Sequence, residues 1–223
     1  AHPAVTAASE LPWIPRLIAE ESRRRGAGIA DWAASADASE WRRMGEAYLR
    51  HTQWWQQGEV FTDKLPGNHA YIGAILAMLP DALVISLHRD ARDVCFSCYR
   101  QLFVRGLEFS YDLEDLAAYW QDFERVTADW EQRAPERVLR VDYERLVDDL
   151  ETEARRIVEF IGLDWDPACL RFFEAERAVN TASAAQVREG VSRRGIGHWK
   201  QYEAHLGPLL TALEDDPPDD SLA

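Results

Sequence analysis

Ala82-Leu83-Val84-Ile85-Ser86-Leu87-His88-Arg89-Asp90-Ala91-Arg92-Asp93-Val94-Cys95-Phe96-Ser97 holds a strand, a basic turn and a helix start in one run. The short apolar, β-branched segment up to Leu87 predicts a buried strand, parallel to its neighbours and covered on both faces. At Arg89 the pattern changes, and Asp90 and Asp93 stand where acidic residues favour a helix N-terminus. An arginine at the carboxyl end of a strand, then a helix start, then a hydroxyl two turns on, suits a phosphate monoester. The helix supplies free N–H groups and a positive dipole end. Arg89 adds a bidentate charge-assisted clamp, and Ser97 a further hydrogen bond. The same pattern also fits a plain strand-to-helix turn in which Arg89 pairs with Asp90 or Asp93.

Outward from this stretch, strands and helices alternate. Val60-Phe61-Thr62 predicts a short strand, followed by the turn Asp63-Lys64-Leu65-Pro66-Gly67-Asn68 and a helix from His69 to Met78. Arg137 to Val141 predicts a third strand, which the chain leaves at Asp142-Tyr143-Glu144. Helices are expected up to Arg25, where Arg23-Arg24-Arg25-Gly26 supplies cations and a glycine stop, and over Ala38–Trp55. Further helices are expected from Arg89 to about Phe103, over Leu113–Arg133, Asp149–Ile161, from Asp166-Pro167 to Glu174, and over His198–Leu213. Ala4 onward and Gly28–Asp37 read as loop, and 178–197 as irregular. This alternation means α/β with a parallel sheet, whose ligand site lies at the carboxyl ends of the strands. Lys64, Arg89 and Tyr143 each follow a strand directly, so they are expected to converge on one crevice.

Composition limits what such a crevice can serve. The 223 residues carry a formal charge of −14, with 47% hydrophobic and 29% charged residues, which is ordinary for one globular domain. That charge excludes a broad nucleic-acid or anionic-membrane surface, so phosphate binding must come from local arginines and helix ends. No apolar run has the length of a membrane span. Cys95, Cys98 and Cys169 are too few for a disulfide framework. Cys95-Phe96-Ser97-Cys98 has redox-motif spacing, but no Trp-Cys precedes it, and small core residues are the better reading. With no signal-peptide pattern, a cytoplasmic location is expected.

The residues in this order resemble the sulfotransferases that use 3′-phosphoadenosine 5′-phosphosulfate (PAPS), in particular the sulfotransferase domain of bacterial tetratricopeptide-repeat proteins, with a likeness to tyrosylprotein sulfotransferases. The markers are Asp63-Lys64-Leu65-Pro66, the Arg89-to-Ser97 spacing, Asp142-Tyr143-Glu144-Arg145-Leu146-Val147, Thr181-Ala182-Ser183-Ala184-Ala185-Gln186-Val187-Arg188 and Gly197-His198-Trp199. The resemblance runs to about Leu213, which implies a sulfotransferase domain over 1–213 and an acidic tail over 214–223. It implies a P-loop-NTPase-like parallel sheet flanked by helices. It further implies that Arg89 and Ser97 hold the 3′-phosphate and that Tyr143 lies at the adenine, where a flat ring with one hydroxyl suits the base. Lys64 corresponds to the lysine at the bridging oxygen, where an ammonium stabilises the departing phosphate. Ser183 matches a serine near the sulfuryl group, and Ser183–Ser192, with Gln186, Val187 and Arg188, resembles the loop over the nucleotide. His198 falls where relatives carry a basic residue near the phosphates. Glu10 parallels the glutamate that takes the acceptor's proton, a contribution of roughly 10²–10⁴-fold.

Plainer readings stand beside these. Glu10 would cap or flank the helix that follows it, Lys64 would pair with Asp63, and Tyr143 would be a core tyrosine. Trp13, Trp54, Trp55 and Phe61 would line an apolar acceptor pocket or simply pack helices. Family members also carry, ahead of the equivalent of Ala1, a strand and a glycine-containing loop around the 5′-phosphosulfate, so the stretch reads as lacking both. This keeps a second class open, a non-catalytic nucleotide-binding or interaction module. A nucleoside-phosphate kinase is a third, needing the same loop and a magnesium site. The leading expectation is sulfuryl transfer from PAPS to an acceptor hydroxyl or amine on a small molecule, glycan or peptide. A sheet short of a central strand would expose ladder groups on apolar strands, so residues 1–223 alone are expected to be poorly stable or to self-associate.

Overall fold

The computed structural model describes residues 1–103, 106–174 and 190–214. In chain order the elements are β1 (Val5–Ala7), α1 (Trp13–Arg25), α2 (Ile29–Trp32), α3 (Ala38–Thr52), β2 (Val60–Thr62), α4 (Ile72–Met78), β3 (Val84–His88), α5 (Ala91–Tyr99) and α6 (Leu113–Arg133). They continue with β4 (Val138–Asp142), α7 (Tyr143–Asp148), α8 (Leu150–Phe160) and α9 (Gly207–Glu214). The result is α/β with parallel pairing, as the alternation predicted, but in two small sheets rather than the single sheet expected. The strands form two parallel pairs, β1 with β2 in the register Val5↔Val60 to Ala7↔Thr62, and β3 with β4 in the register Val84↔Val138 to His88↔Asp142.

Local chemistry explains most boundaries. Asp37 accepts the Ser39 and Glu40 N–H groups while Glu40 reaches back to the Asp37 N–H, a reciprocal cap that starts α3. Asp112 accepts the Glu114 and Asp115 N–H groups at the start of α6. α1 ends at Gly26, whose φ of 67° lets its N–H turn back onto Arg23 after a last turn of three arginines.

Three apolar clusters hold the layers together. Ile14, Leu17 and Ile18 of α1 pack with Trp32, with Met44 and Tyr48 of α3, and with Ala74 and Met78 of α4. Cys95 and Phe96 of α5 pack with Leu116 and Ala117 of α6 and with Trp199, Leu206 and Leu209. Between them Ile72, Leu76, Ala134 and Val138 meet, with Val84 and Trp130 against them, and join α4 to the β3–β4 pair. A side chain at Gly73 would run into the Trp130 ring, so α4 and α6 approach this closely because position 73 is glycine.

Several expectations are corrected. β1 lies where a loop was expected, because three residues carry no visible alternation and their partner is more than fifty positions away. Gly28–Asp37 is not wholly loop: it contains α2 and the 3₁₀ turn Ala33–Ser35. Asp142-Tyr143-Glu144 leads directly into α7. α5 ends at Tyr99, and the C-terminal helix is 3₁₀ over His198–His205 before α9 begins at Gly207. Nor is β3 covered on both faces. Val84, Ser86 and His88 face α6, whereas Leu83, Ile85 and Leu87 stay 39%, 42% and 55% exposed. α8 packs on β4, where Val141 is buried.

Candidate functional site

Register alone places the site residues in pairs at the strand ends. Past Ala7↔Thr62 the ladder continues, with the Ala8 N–H donating to the Thr62 carbonyl at 2.9 Å and the Lys64 N–H to the Ser9 carbonyl at 3.0 Å. Glu10 and Lys64 therefore emerge together, and the ammonium donates to the Glu10 carboxylate. Both side chains are exposed, so the pair adds little to stability. Lys64 thus pairs with Glu10 rather than Asp63, whose carboxylate accepts the Leu11 N–H at 3.2 Å and the Tyr48 hydroxyl at 3.0 Å. Glu10 does not cap α1: the N-cap is Pro12, without a side-chain bond.

Beyond His88↔Asp142 the second pair delivers Arg89 and Tyr143 side by side, the guanidinium carbon 5.1 Å from the ring centroid. The next residues follow the same register, with the Asp90 N–H donating to Glu144 Oε1 at 3.0 Å. Residues 190–199 close over this end. Arg89 Nη2 donates to the Gly195 carbonyl, and the Tyr143 hydroxyl donates to the Ser192 carbonyl at 3.2 Å. A Cβ at position 195 would lie 2.9 Å from Arg89 Nη2, so any larger residue there requires the guanidinium to shift. Buried Asp93 anchors the segment, accepting the Gly197 N–H at 2.6 Å and the Trp199 N–H at 3.1 Å, with Arg89 Nη2 at 4.0 Å.

Arg89 Nε is buried and has no hydrogen-bond partner among the described residues. A buried guanidinium N–H without an acceptor is costly, and an anion would satisfy it. Ser97 stands exposed two turns along α5, which Asp90 caps by accepting the Arg92 and Asp93 N–H groups. Two open clefts lie here and share Asp90 and Glu144, and Arg89 lines the first of them. One, about 280 Å³, is lined by His88, Arg89, Asp90, Trp120, Glu124, Arg140, Asp142 and Glu144; the other, about 370 Å³, by Asp90, Arg92, Asp93, Glu144, Ile196, Gly197, Trp199 and Lys200.

Behind Arg89 the His88 ring is 1% exposed, its Nδ1 2.6 Å from Glu124 and its Nε2 3.1 Å from Glu131 and 2.8 Å from the Ser86 hydroxyl. Arg140 Nη1 donates to Glu124 at 3.1 Å. Burial raises the Glu124 carboxyl, but the bonds from His88 and Arg140 outweigh it and hold the group below the usual carboxylate range.

The remaining expected residues are dispersed. His198 Nδ1 accepts from Arg100 at 3.2 Å and its ring meets Phe96 and Tyr202; none of its described contacts is with Arg89. Ser183, Gln186, Val187 and Arg188, like the tail beyond Glu214, lie outside the described residues. Cys95 is buried, with its thiol pushed up to about 12 chiefly by burial, and Cys98 is raised for the same reason, so neither is a ready thiolate. No helix among the described residues is long and apolar enough to cross a membrane. Asp93 was read as a helix-start residue and a partner for Arg89, but not as the anchor of Gly197 and Trp199, and Gly195 was missed. The sole signal for Gly195 was a glycine after the cation pair Arg193-Arg194.

The sulfotransferase family model matches residues 1–167. An uncharacterised Aquifex aeolicus protein is 32% identical over 224 residues, covering 96% of this chain and 29% of its own length. A provisionally named protein-tyrosine sulfotransferase from Caenorhabditis briggsae is 28% identical over 162 residues, covering 70% of this chain and 57% of its own. The chain therefore spans under a third of the first relative and somewhat over half of the second. Among solved structures, the sulfotransferase domain of the Synechococcus PCC 7002 olefin synthase aligns with a TM-score of 0.58 at 20% identity, over 92% of this chain and 74% of that one. The sulfotransferase domain from the curacin biosynthetic pathway aligns at 0.56 and 15%, over 78% and 69%. By its fold, and by a family match over three-quarters of its length, the chain belongs to the sulfotransferase family.

Proposed function

We propose that the protein is a PAPS-dependent sulfotransferase that acts on an acceptor hydroxyl or amine. The observation that carries this reading is Arg89, which follows β3 and lies against the Tyr143 ring with a buried Nε that lacks an acceptor among the described residues. A guanidinium with a buried N–H that has no partner among the described residues, an aromatic face beside it and an exposed hydroxyl on the following helix fit a nucleotide phosphate and its base. Arg89 and Ser97 would hold the 3′-phosphate, and Tyr143 the adenine. When bound, PAPS supplies an activated sulfuryl group on a phosphate leaving group.

The chain's own residues do the rest at the other strand pair. The Glu10 carboxylate exchanges its bond to Lys64 for one to the acceptor hydroxyl and takes that proton on an Oε atom. The Lys64 ammonium, released from Glu10, stabilises the negative charge that gathers on the departing phosphate. In the same reading Ser183 assists Lys64, Gln186, Val187 and Arg188 line the nucleotide, and His198 lies near the phosphates. Family membership supports these roles, as does the emergence of Glu10 and Lys64 as a pair.

Calorimetric titration with 3′-phosphoadenosine 5′-phosphate tests the assignment. Arg89→Ala is expected to weaken binding roughly 10- to 150-fold, the loss of hydrogen bonds to a charged group at about 1.5–3 kcal/mol. Unchanged affinity overturns the site.

A further inference from the structure

Ser9 has a φ of 71°, and it is the one non-glycine residue with positive φ among the described residues. A left-handed serine is strained, so surrounding bonds must hold it. Those bonds bracket the next residue, Glu10. On one side the Ser9 carbonyl accepts the Lys64 N–H; on the other the Leu11 N–H donates to the Asp63 carboxylate at 3.2 Å. The second Asp63 oxygen accepts the hydroxyl of Tyr48, which is buried in the α1–α3 core. Asp63 thus ties the loop that carries Glu10 to the end of β2 and, through Tyr48, to α3. The neighbouring residue on that strand end is Lys64.

We infer that Asp63 is a positioning residue, which holds the Glu10 carboxylate against the Lys64 ammonium without itself touching the reacting atoms. The role rests on the assignment of Glu10 and Lys64 proposed above. Asp63 is half-buried, and burial raises its carboxyl. The two hydrogen bonds it accepts are the compensation that a carboxylate in such a place requires, and they fix its position. Without Asp63 the Leu11 N–H loses its acceptor, the left-handed turn at Ser9 loses one of its two restraints, and Glu10 moves away from Lys64. A misplacement of about 1 Å at a reacting group costs on the order of 10²-fold in rate.

A water-soluble carbodiimide reads the geometry directly. It activates a carboxylate, and a lysine amine in contact displaces the activating group as a urea to leave an amide, here joining Glu10 to Lys64. The yield is quantified by mass spectrometry of the full chain. Asp63→Ala is expected to lower it roughly tenfold, since such coupling depends on effective concentration. Asp63→Asn retains an acceptor for the Leu11 N–H and is expected to keep most of the yield. Binding of 3′-phosphoadenosine 5′-phosphate should be the same in both variants. In transfer to 4-nitrophenol, kcat should fall roughly 10- to 100-fold in Asp63→Ala, with substantial rescue by asparagine. An Asp63→Ala yield equal to wild type overturns the inference. Should that variant not fold, Tyr48→Phe is read instead: a drop of roughly twofold is expected, and no drop overturns. Glu10→Gln separates the two ideas. Unchanged turnover in Glu10→Gln removes Glu10 from the chemistry and leaves the cross-link result standing, whereas an unchanged cross-link in Asp63→Ala removes Asp63 and leaves Glu10.

Discussion

The Arg89 guanidinium lies over the Tyr143 ring, 5.1 Å from its centroid, because His88 and Asp142 are register partners at the last rung of the β3–β4 ladder. Two residues 54 positions apart in sequence are thereby made neighbours by backbone hydrogen bonds. The same logic joins Glu10 to Lys64 across β1 and β2. Each parallel pair thus presents one cation and one partner at its carboxyl end, the end where ligands of parallel α/β sheets bind.

The Arg89–Tyr143 contact makes a first prediction. Tyr143→Leu removes the ring face and should weaken binding of 3′-phosphoadenosine 5′-phosphate by roughly 3- to 30-fold, the range of a partly desolvated cation–π contact. Tyr143→Phe keeps the ring, loses only the bond to the Ser192 carbonyl, and should cost roughly 2- to 10-fold, the weight of one neutral hydrogen bond. Calorimetry on both variants decides; equal affinities for Leu and Tyr would show that the ring plays no part.

Gly195 offers a test that leaves the core alone. A Cβ there sits 2.9 Å from Arg89 Nη2 and must push the guanidinium aside or lift residues 190–197. Gly195→Ala should weaken nucleotide binding roughly tenfold while shifting Tm by no more than a few degrees, because no buried apolar contact is lost. A variant that binds as tightly as the parent would mean that the observed approach is not the binding-competent one.

The Glu124 carboxylate beside His88 predicts a pH dependence of stability. The Glu124 carboxyl is lower in the folded chain than its ordinary value of 4.5. A depressed carboxyl contributes stability that is fully present above the unfolded value and is lost as pH falls through the folded one. Resistance to urea should therefore decline below about pH 4.5. Glu124→Gln should remove part of that decline and, near neutral pH, cost about 1–3 kcal/mol through its bonds to His88 and Arg140. Parallel pH profiles for the variant and the parent would rule this out.

The uncovered face of β3 makes the last prediction. Leu83, Ile85 and Leu87 form an exposed apolar row beside a strand edge that has no partner among the described residues. Such an edge favours association. Sedimentation of the chain should show concentration-dependent self-association, and Leu87→Lys should shift it toward monomer with little change in Tm. A parent chain that stays monomeric up to about 100 µM would contradict this.

Much of the architecture was legible locally. The run ending at His88 announces a strand by its β-branched residues, and Asp90 announces the helix start by the capping chemistry of its carboxylate. Asp112 and Arg133 bound the long helix α6, and Gly26 stops α1 because glycine accepts a left-handed turn without strain. Arg89, Lys64 and Tyr143 stood out because each polar side chain directly follows an apolar run. β1 was not legible: Val5-Thr6-Ala7 becomes a strand only when β2 supplies its ladder partners.

The sequence by itself determined the type of the longer elements, several of their caps and the identity of the groups that stand at strand ends, since those depend on neighbours within a few residues. Tertiary structure decided which of those groups meet. Strand register set Arg89 on Tyr143 and Glu10 against Lys64, and it gave Asp63 to Leu11 and Tyr48 instead of to its adjacent lysine. Leu87 stays open, although its hydrophobicity called for cover. Local propensity acts over one turn or one rung, whereas pairing partners are fixed by hydrogen bonds and burial between segments dozens of residues apart, and no single stretch of chain contains both halves of that interaction.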